Sequence, residues 1–379
     1  MSFTHFDQRA MARALELAAR GMETAHPNPR VGCVIARGER ILAEGWHERT
    51  GGPHAEVVAL RALAASAGEN AAVGATVYVT LEPCSHYGRT PPCVDALVAA
   101  QVARVIVAIP DPNPLVSGRG LAVLERAGIT VVTGLMATEA EELNVGYLKR
   151  MRTGRPFVRV KLGMSLDGRT ALANGASKWI TGDAAREDVQ HWRARSSAVL
   201  TGIGTVLADD PQLNVRLPGA SKQPLRVVVD SKLRTPPDAR VLDGSAPSVV
   251  FADAAALSGR SASTWGANGA RVEPCASERG EGGAAGAPSR LALDRILQRL
   301  GELEVNELLV EAGPTLSGAF VQQELVDELL IYIAPRLLGP AARPLLSLPL
   351  LEDLQQAKQF RMIEQHAVGD DLRLRLRPV

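Results

Sequence analysis

The sequence predicts a two-domain α/β protein, and three observations carry that expectation. The chain has 379 residues, too many for one ordinary domain. Through the first half, strand-length apolar runs alternate with helical stretches, the rhythm of βαβ units in a layered domain with helices on both faces. The second half opens after a break and carries strands of its own. Hydrophobic residues at 46% and charged ones at 22% are ordinary globular values, so each half can bury a core.

Taken in order, residues 6–19 read as a helix because Ala10, Ala14, Leu17 and Ala18 fall on one stripe. Residues 31–35 and 41–43 are short strands around the turn Arg37-Gly38-Glu39-Arg40. A helix beginning at Pro53 covers 54–65; residues 76–80 form a strand, 93–100 a second helix and 105–108 the next strand. Thr138 and Glu141 have the spacing of a capping box, which opens a helix running to about Met151. Arg152-Thr153-Gly154-Arg155-Pro156 breaks that helix and sets the expected boundary, with domains at 1–152 and 153–379. In the second domain 157–162, 198–201, 225–230, 307–311 and 329–333 read as strands. The closing alternation Leu372-Arg373-Leu374-Arg375-Leu376-Arg377 reads as a half-buried edge strand. Residues 276–289, rich in Gly, Ala and Ser, are expected to form a flexible surface loop.

His54-Ala55-Glu56, followed by Pro83-Cys84 and then Cys93, points to the chemistry. One imidazole and two thiolates fill three corners of a tetrahedral zinc site and leave the fourth open for water, as catalytic sites do. Zinc lowers the pKa of bound water from about 15.7 to about 7. Glu56 is then close enough to carry a proton from that water to a leaving amine. H-x-E…P-C-x-x-C is the signature of zinc nucleobase deaminases, so this domain reads as a hydrolytic deaminase. One departure is the spacing: residues 85–92 separate the two cysteines, where the common form has two residues. Gly88 and Pro91-Pro92 supply a turn that returns Cys93 to the metal, and the longer loop brings His86 and Arg89 to the pocket rim. The alternative, unliganded buried thiols and a core histidine, requires five residues to fall in this order by chance.

Composition excludes other classes. A formal net charge of +1 argues against broad nucleic-acid binding. Cys33, Cys84, Cys93 and Cys275 are too few for a disulfide framework and fit a reducing cytoplasm. Asp7, Arg9, Arg13, Glu16 and Arg20 exclude an apolar signal segment at the N-terminus. No apolar run approaches the about eighteen residues of a membrane span.

In the second half, Gly202-Ile203-Gly204-Thr205 follows a strand, but Leu207 stands where a third glycine belongs, so a Rossmann domain is rejected. A second candidate cradle lies at strand 307–311, turn Ala312-Gly313-Pro314 and a helix opening at Thr315. Free amides at a helix start bind pyrophosphate. An ordinary strand–turn–helix joint reads the same way, and the residues alone leave both open.

Longer stretches resemble the bifunctional riboflavin-biosynthesis deaminase/reductases. They are Pro27-Asn28-Pro29-Arg30-Val31-Gly32, Pro53-His54-Ala55-Glu56, the run from Leu81 to Cys93, Lys161-Leu162-Gly163-Met164-Ser165-Leu166-Asp167-Gly168-Arg169, Leu207-Ala208-Asp209-Asp210-Pro211 and Val310-Glu311-Ala312-Gly313-Pro314. The resemblance runs from about Asp7 to the C-terminus with its order intact; residues 276–289 match none of these motifs and read as a local insertion. It implies a cytidine-deaminase-like three-layer α/β/α domain followed by a dihydrofolate-reductase-like α/β domain, with Zn2+ and NADPH as cofactors.

The resemblance also implies roles. His54, Cys84 and Cys93 resemble the zinc ligands and Glu56 the proton shuttle. Asn28, His47, His86 and Arg89 are candidates for the pocket, Arg89 facing the substrate phosphate; each is equally an ordinary polar loop residue. Gly163, Trp179, Thr205, Asp209 and Ser231 resemble NADPH contacts, together with Gly313, Pro314, Thr315, Leu316, Ser317, Gly318 and Ala319. Ser177, Arg193, Leu213, Arg216 and Glu311 resemble substrate contacts. Arg193 and Arg216 suit a phosphate, which arginine binds bidentately. The alternative for Arg193 is a solvated helix face, and for Trp179 core packing. Lys161 and Asp209 are candidates for proton management around hydride transfer.

The reaction so implied removes the 2-amino group of 2,5-diamino-6-(5-phosphoribosylamino)pyrimidin-4-one and then reduces the ribosyl group to ribityl. The expected partner is a small phosphorylated pyrimidine, with neither nucleic acid nor membrane; a homo-oligomer is compatible with this. Two alternatives stand beside it: a deaminase whose second half only binds ligand, and a nucleic-acid-editing or zinc-stabilised binding module. The near-zero charge and the open three-ligand site disfavour the latter.

Overall fold

The computed structural model describes residues 3–86, 91–258, 269–278 and 290–379. Contacts divide the chain into two compact units that meet in sequence between Gly154 and Arg155.

The first unit begins with α1 (His5–Ala19), opened by a capping box in which Thr4 and Asp7 exchange side-chain and backbone hydrogen bonds. There follow β1 (Gly32–Arg37), β2 (Arg40–Trp46), α2 (Ala55–Ala67), β3 (Thr76–Leu81), α3 (Cys93–Ala99) and β4 (Arg104–Ile109). Then come α4 (Arg119–Arg126), β5 (Thr130–Thr133), α5 (Ala137–Leu143) and α6 (Val145–Thr153). The sheet order is β2-β1-β3-β4-β5, with β1 antiparallel to both neighbours and β3, β4 and β5 parallel. On one face, Ala59, Leu63, Val94, Leu97 and Leu124 of α2, α3 and α4 pack on Ile35, Val77 and Val105. On the other, Met11, Leu17, Ala140 and Leu148 of α1, α5 and α6 pack on Val34, Tyr78 and Ile106. Alternate residues of β1, β3 and β4 thus feed opposite cores, which is the expected three-layer α/β/α arrangement.

The helix expected from Thr138 to Met151 is two helices, and Thr138 does not cap it. Met136, in left-handed conformation at φ 54°, precedes α5 without a side-chain cap. The break falls at Asn144, whose buried amide is committed elsewhere. Its Oδ1 accepts from Arg30 N at 2.8 Å and its Nδ2 donates to Arg30 O at 2.9 Å. A tertiary contact over a long sequence separation thereby overrides local helix propensity.

The second unit starts with β6 (Phe157–Ser165), β7 (Arg169–Ala171), α7 (Asp183–Arg195), β8 (Ala198–Gly202), α8 (Ile203–Asp209) and β9 (Leu225–Val229). It continues through β10 (Ser248–Asp253), α9 (Ala254–Leu257), β11 (Arg271–Cys275), β12 (Ser277–Glu278) and β13 (Arg290–Leu291). After them come α10 (Leu293–Glu302), β14 (Glu307–Val310), α11 (Pro314–Gln322), β15 (Glu328–Ala334), β16 (Arg343–Pro344), β17 (Phe360–Val368) and β18 (Asp371–Pro378). The main sheet has the order β11-β10-β9-β8-β14-β6-β15-β18-β17. It is parallel from β11 to β15 and antiparallel beyond. Ile296, Leu300 and Phe320 of α10 and α11 cover one face, and Val189 and Trp192 of α7 contribute to the core on the other.

The alternating Leu-Arg strand is not the edge. β18 lies between β15 and β17, and β17 is outermost. Its arginine face is covered because acids meet it there. Glu328 of β15 accepts from Arg375 and Arg377, and Glu364 of β17 also accepts from Arg375. The network continues to the fully buried Arg159, which donates to Glu328 at 2.6 Å and Glu307 at 3.0 Å. Of the glycine-rich segment 276–289, Ser277–Glu278 form β12 rather than loop, and 279–289 lie outside the described residues.

Candidate active sites

The first site assembles at two helix starts beside one strand end. His54 is the N-cap of α2, which puts Glu56 in that helix's first turn. β3 delivers Cys84 just past its carboxyl end, and Cys93 is the first residue of α3. His54 Nδ1 lies 3.1 Å from Cys93 Sγ and 3.5 Å from Cys84 Sγ. All three ligand atoms lie within 4.8 Å of one another. A tetrahedral zinc with Zn–N of about 2.0 Å and Zn–S of about 2.3 Å separates its nitrogen and sulfur ligands by about 3.6 Å. The donor set and its spacing therefore fit zinc, with a fourth position left for water. Cys93 N also donates to Cys84 Sγ at 3.3 Å, so the positive end of α3 supports a thiolate. The Cys93 thiol, with His54, pushes Cys84 down to about 4, whereas the facing Cys84 sulfur and burial push Cys93 up. Glu56 is 3% exposed, and burial raises its pKa although His54 opposes the rise.

Two of the predicted pocket residues touch. His47 Nδ1 faces the Pro53 carbonyl at 3.1 Å, and Nε2 faces Asn28 Nδ2 at 3.0 Å. Nδ1 must donate to the carbonyl, so Nε2 accepts from Asn28 and the ring is neutral. Burial lowers its pKa in the same direction. His47 also packs edge-on against His54, with ring centroids 5.4 Å apart. His86 Nδ1 is buried without a protein hydrogen-bond partner among the described residues. Arg89 lies outside the described residues.

The second site is a cavity of about 930 Å³ at the carboxyl ends of the parallel strands, where ligands bind in open α/β sheets. Of the predicted cofactor residues, Gly163, Thr205, Asp209, Ser231, Gly313, Pro314, Thr315, Leu316 and Ala319 line it. Gly313 is the N-cap of α11, and Pro314 occupies the first turn, where a missing N–H costs nothing. A Cβ placed on Gly204 or Gly313 would meet nothing within 4 Å, so both glycines leave open floor for a ligand. The volume, the open floor and the free amides of α11 fit a dinucleotide.

Three predicted cofactor residues are placed elsewhere. Ser317 is fully buried, with its hydroxyl donating to Ala312 O at 3.2 Å. Gly318 packs so closely on Ser347 that a Cβ would overlap the Ser347 carbonyl. Trp179 is 61% exposed with the Arg186 guanidinium 4.5 Å above its ring, so it is not core packing.

Among the predicted substrate residues, Ser177 and Glu311 line the cavity with Lys161, and Arg193, Leu213 and Arg216 do not. Arg193 is buried rather than solvated, and its guanidinium grips Glu311 through Nε at 2.6 Å and Nη2 at 2.9 Å. Its Nη1 donates to Asn214 O at 3.0 Å, and Arg216 donates to Asn214 Oδ1, also at 3.0 Å. Burial alone would raise Glu311, but Arg193, Lys161 and Arg216 hold its carboxyl below the usual carboxylate range. Burial pushes Lys161 down, partly opposed by Glu311. Asp209 pairs with Lys178 at 3.4 Å.

Comparison with known proteins decides what these sites belong to. The Escherichia coli (strain K12) riboflavin biosynthesis protein RibD is 50% identical over 382 residues, spanning 98% of this chain and 99% of the relative. The chain belongs to the RibD family. The Haemophilus influenzae RibD is 46% identical across 100% of this chain and 99% of its own length. The cytidine and deoxycytidylate deaminase zinc-binding region matches residues 4–109, and the RibD C-terminal domain matches 156–373. The solved Acinetobacter baumannii RibD superposes with a TM-score of 0.88 at 45% identity, covering 99% of both chains. A Thermotoga maritima diaminohydroxyphosphoribosylaminopyrimidine deaminase/5-amino-6-(5-phosphoribosylamino)uracil reductase gives 0.85 at 32% identity, again with 99% of both covered. RibD enzymes join a zinc deaminase to an NADPH reductase, and zinc and NADPH are the cofactors of this chain.

Sequence reasoning gave no role to three residues that hold the first site. Glu82, next to Pro83, accepts from the backbone N–H groups of Asp111, Gly118 and Gly120 at 3.0–3.1 Å. Arg30 and Asn144 clasp each other and so fix the loop that carries Asn28. Glu82 was visible in its motif, but its three partners lie beyond β4, and no local pattern announces them.

Proposed function

We infer that this chain catalyses two consecutive steps of riboflavin biosynthesis. The first unit deaminates 2,5-diamino-6-(5-phosphoribosylamino)pyrimidin-4-one, and the second reduces the ribosyl side chain to give 5-amino-6-(5-phosphoribitylamino)uracil. The observation that carries this reading is the convergence of His54, Cys84 and Cys93 beside a buried Glu56.

His54, Cys84 and Cys93 would hold the zinc, which when bound would supply activated water at neutral pH. The protein's part is proton movement and positioning. Glu56, with its affinity for protons raised by burial, takes a proton at its carboxylate and returns it to the departing amine. The neutral His47 fixes Asn28 at the pocket wall, leaving the amide oxygen to orient the pyrimidine. His86, with a buried nitrogen lacking a described partner, is the second candidate to meet the base. Arg89 is assigned to the substrate phosphate.

In the second unit the α11 start, with Gly313 as its N-cap, would hold NADPH, which when bound would supply the hydride. Reduction opens the ribosyl ring, whose oxygen takes up a proton. Lys161, half-buried in the cavity wall, is the candidate to give it; burial lowers its pKa and Glu311 opposes that fall. Arg193 keeps Glu311 ionised and, with Asn214, ties Arg216 into the same cluster. Arg216, exposed beside this cluster though outside the cavity lining, is the candidate for the substrate phosphate.

No helix among the described residues is long and apolar enough to cross a membrane. Four cysteines outside any disulfide, two of them assigned to zinc, and near-zero net charge support a cytoplasmic enzyme that does not engage nucleic acid. Exposed Met362 and Ile363 on the outermost strand β17 support association with a second copy.

Incubating the purified chain with the diaminopyrimidine, with and without NADPH, and identifying products by mass tests the reading. The deaminated ribosyl compound is expected without NADPH and the ribityl compound with it. Unchanged substrate under both conditions would reject it.

A further inference from the structure

The reductase cavity carries a cation at the tip of β9, apart from the Glu311 cluster. Three cationic side chains line it: Lys161, Arg290 and Arg343. Lys161 belongs to the Glu311 cluster. Arg343, on the short β7–β16 ladder, stands 3.1 Å from where a Cβ of Gly175 would lie, and Gly175 is two residues from Ser177. Arg343 thus stands beside Gly175 on the β7–β16 side of the cavity.

Arg290 stands elsewhere. β13 pairs with β12, placing Leu291 opposite Ser277. The Ser277 hydroxyl donates to the Asp253 carboxylate, and Asp253 N donates to Ser231 O at 3.2 Å. This chain of contacts sets Arg290 beside the tip of β9, where Ser231 faces the cavity. Lys232 and Arg234 on the same loop do not line it.

The chemistry at that tip favours a phosphate. A carboxylate beside the ribose would suit a free 2′-hydroxyl and repel a 2′-phosphate, whereas an arginine pairs with the phosphate. Here the acid of the strand end, Asp230, is fully buried and turned away. Its Oδ2 accepts from Thr235 N at 2.6 Å and Thr235 Oγ1 at 2.8 Å. Ser231 and the exposed Arg290 remain to face the ligand, one hydroxyl and one planar set of N–H donors. Given the reading that NADPH lies along the Gly313 helix start, we propose that Arg290, with Ser231, binds the 2′-phosphate and selects NADPH over NADH.

The test is fluorescence titration of the full-length chain with NADPH and NADH, beside calorimetry with adenosine 2′,5′-bisphosphate and adenosine 5′-monophosphate. Losing charge-assisted hydrogen bonds to the phosphate should weaken NADPH binding of Arg290→Ala by roughly tenfold to a hundredfold. NADH and adenosine 5′-monophosphate should bind as they do to the parent, and Arg290→Lys should recover part of the preference. Arg343→Ala should keep it. An Arg290→Ala variant with unchanged selectivity, or one that weakens both nucleotides equally, overturns the assignment. So does loss of selectivity in Arg343→Ala alone. Gly313→Val separates the underlying reading, because it should weaken NADPH and NADH together. If it binds both normally, the cofactor does not use this cradle and the assignment falls with it.

Discussion

Gly120 is the most exacting position behind the zinc site. It lies in the first turn of α4, against the segment that carries Cys84. A Cβ there would overlap the Pro83 carbonyl and stand 3.1 Å from Glu82 Oε1. Alanine at this position must push back either the helix start or the Pro83-Cys84 peptide. Overpacking of this kind costs about 1–3 kcal/mol. If the shift also breaks one of the N–H bonds to the Glu82 carboxylate, about 1.5–3 kcal/mol more is lost. Better helix propensity returns at most about 1 kcal/mol. With that bond broken, the net expectation for Gly120→Ala is a loss of about 1.5–5 kcal/mol, concentrated in the first unit. Because zinc ligands tolerate errors of only about 0.2 Å, the same shift should loosen the metal. The assay combines zinc retention during dialysis against a mild chelator with both activities. Faster zinc loss and weak deamination are expected, with normal reduction of supplied deaminated intermediate. Parental zinc retention and deamination would refute the argument that this contact positions Cys84.

Glu56→Gln should keep zinc but lower deamination by about a hundredfold to ten-thousandfold; near-parental turnover would assign proton transfer to another group. Removing Glu311 takes away an opposing influence on the depressed Lys161, so Glu311→Gln should weaken reduction and move its alkaline limit to lower pH, with NADPH affinity unchanged. An unmoved pH profile would exclude Lys161 as the acid. For Glu328, burial would raise the pKa, but Arg159 and Arg375 bring it from 4.5 down to about 2. That depression is worth about 3 kcal/mol, fully present above the unfolded value and lost as pH falls toward about 2. Denaturant unfolding followed from pH 7 to 3 should reveal this slope, and Glu328→Gln should flatten it while destabilising the chain at pH 7; an equal slope in both proteins would remove Glu328 as its source.

The zinc site was legible because its residues sit at local landmarks. His54 and Glu56 open a helix, Cys84 ends a strand and Cys93 opens the next helix, so spacing along the chain maps onto spacing in the fold. The reductase site was less so. Strand, glycine turn and helix start at 307–319 read equally well as a plain joint, and the family resemblance supplied most of the assignments. It could not separate Gly313 and Thr315, which face the cavity, from Ser317 and Gly318, which pack inward on the next turn of α11. The break at Asn144 and the jobs of Arg30 and Glu82 depend on partners far along the chain, which no window of sequence contains. The terminal strand misled for a related reason. Alternating leucine and arginine looks half-solvated until Glu328 and Glu364 arrive from neighbouring strands to cover the arginines.

The central claim is that one chain performs two reactions in a fixed order at separate sites. Following ammonia release and NADPH oxidation together, in one sample of purified chain given the diaminopyrimidine, tests it most directly. Ammonia should appear first, NADPH consumption should lag and then reach the same total, and omitting NADPH should leave ammonia release intact. NADPH oxidation without prior ammonia release, or ammonia release that requires NADPH, would contradict it.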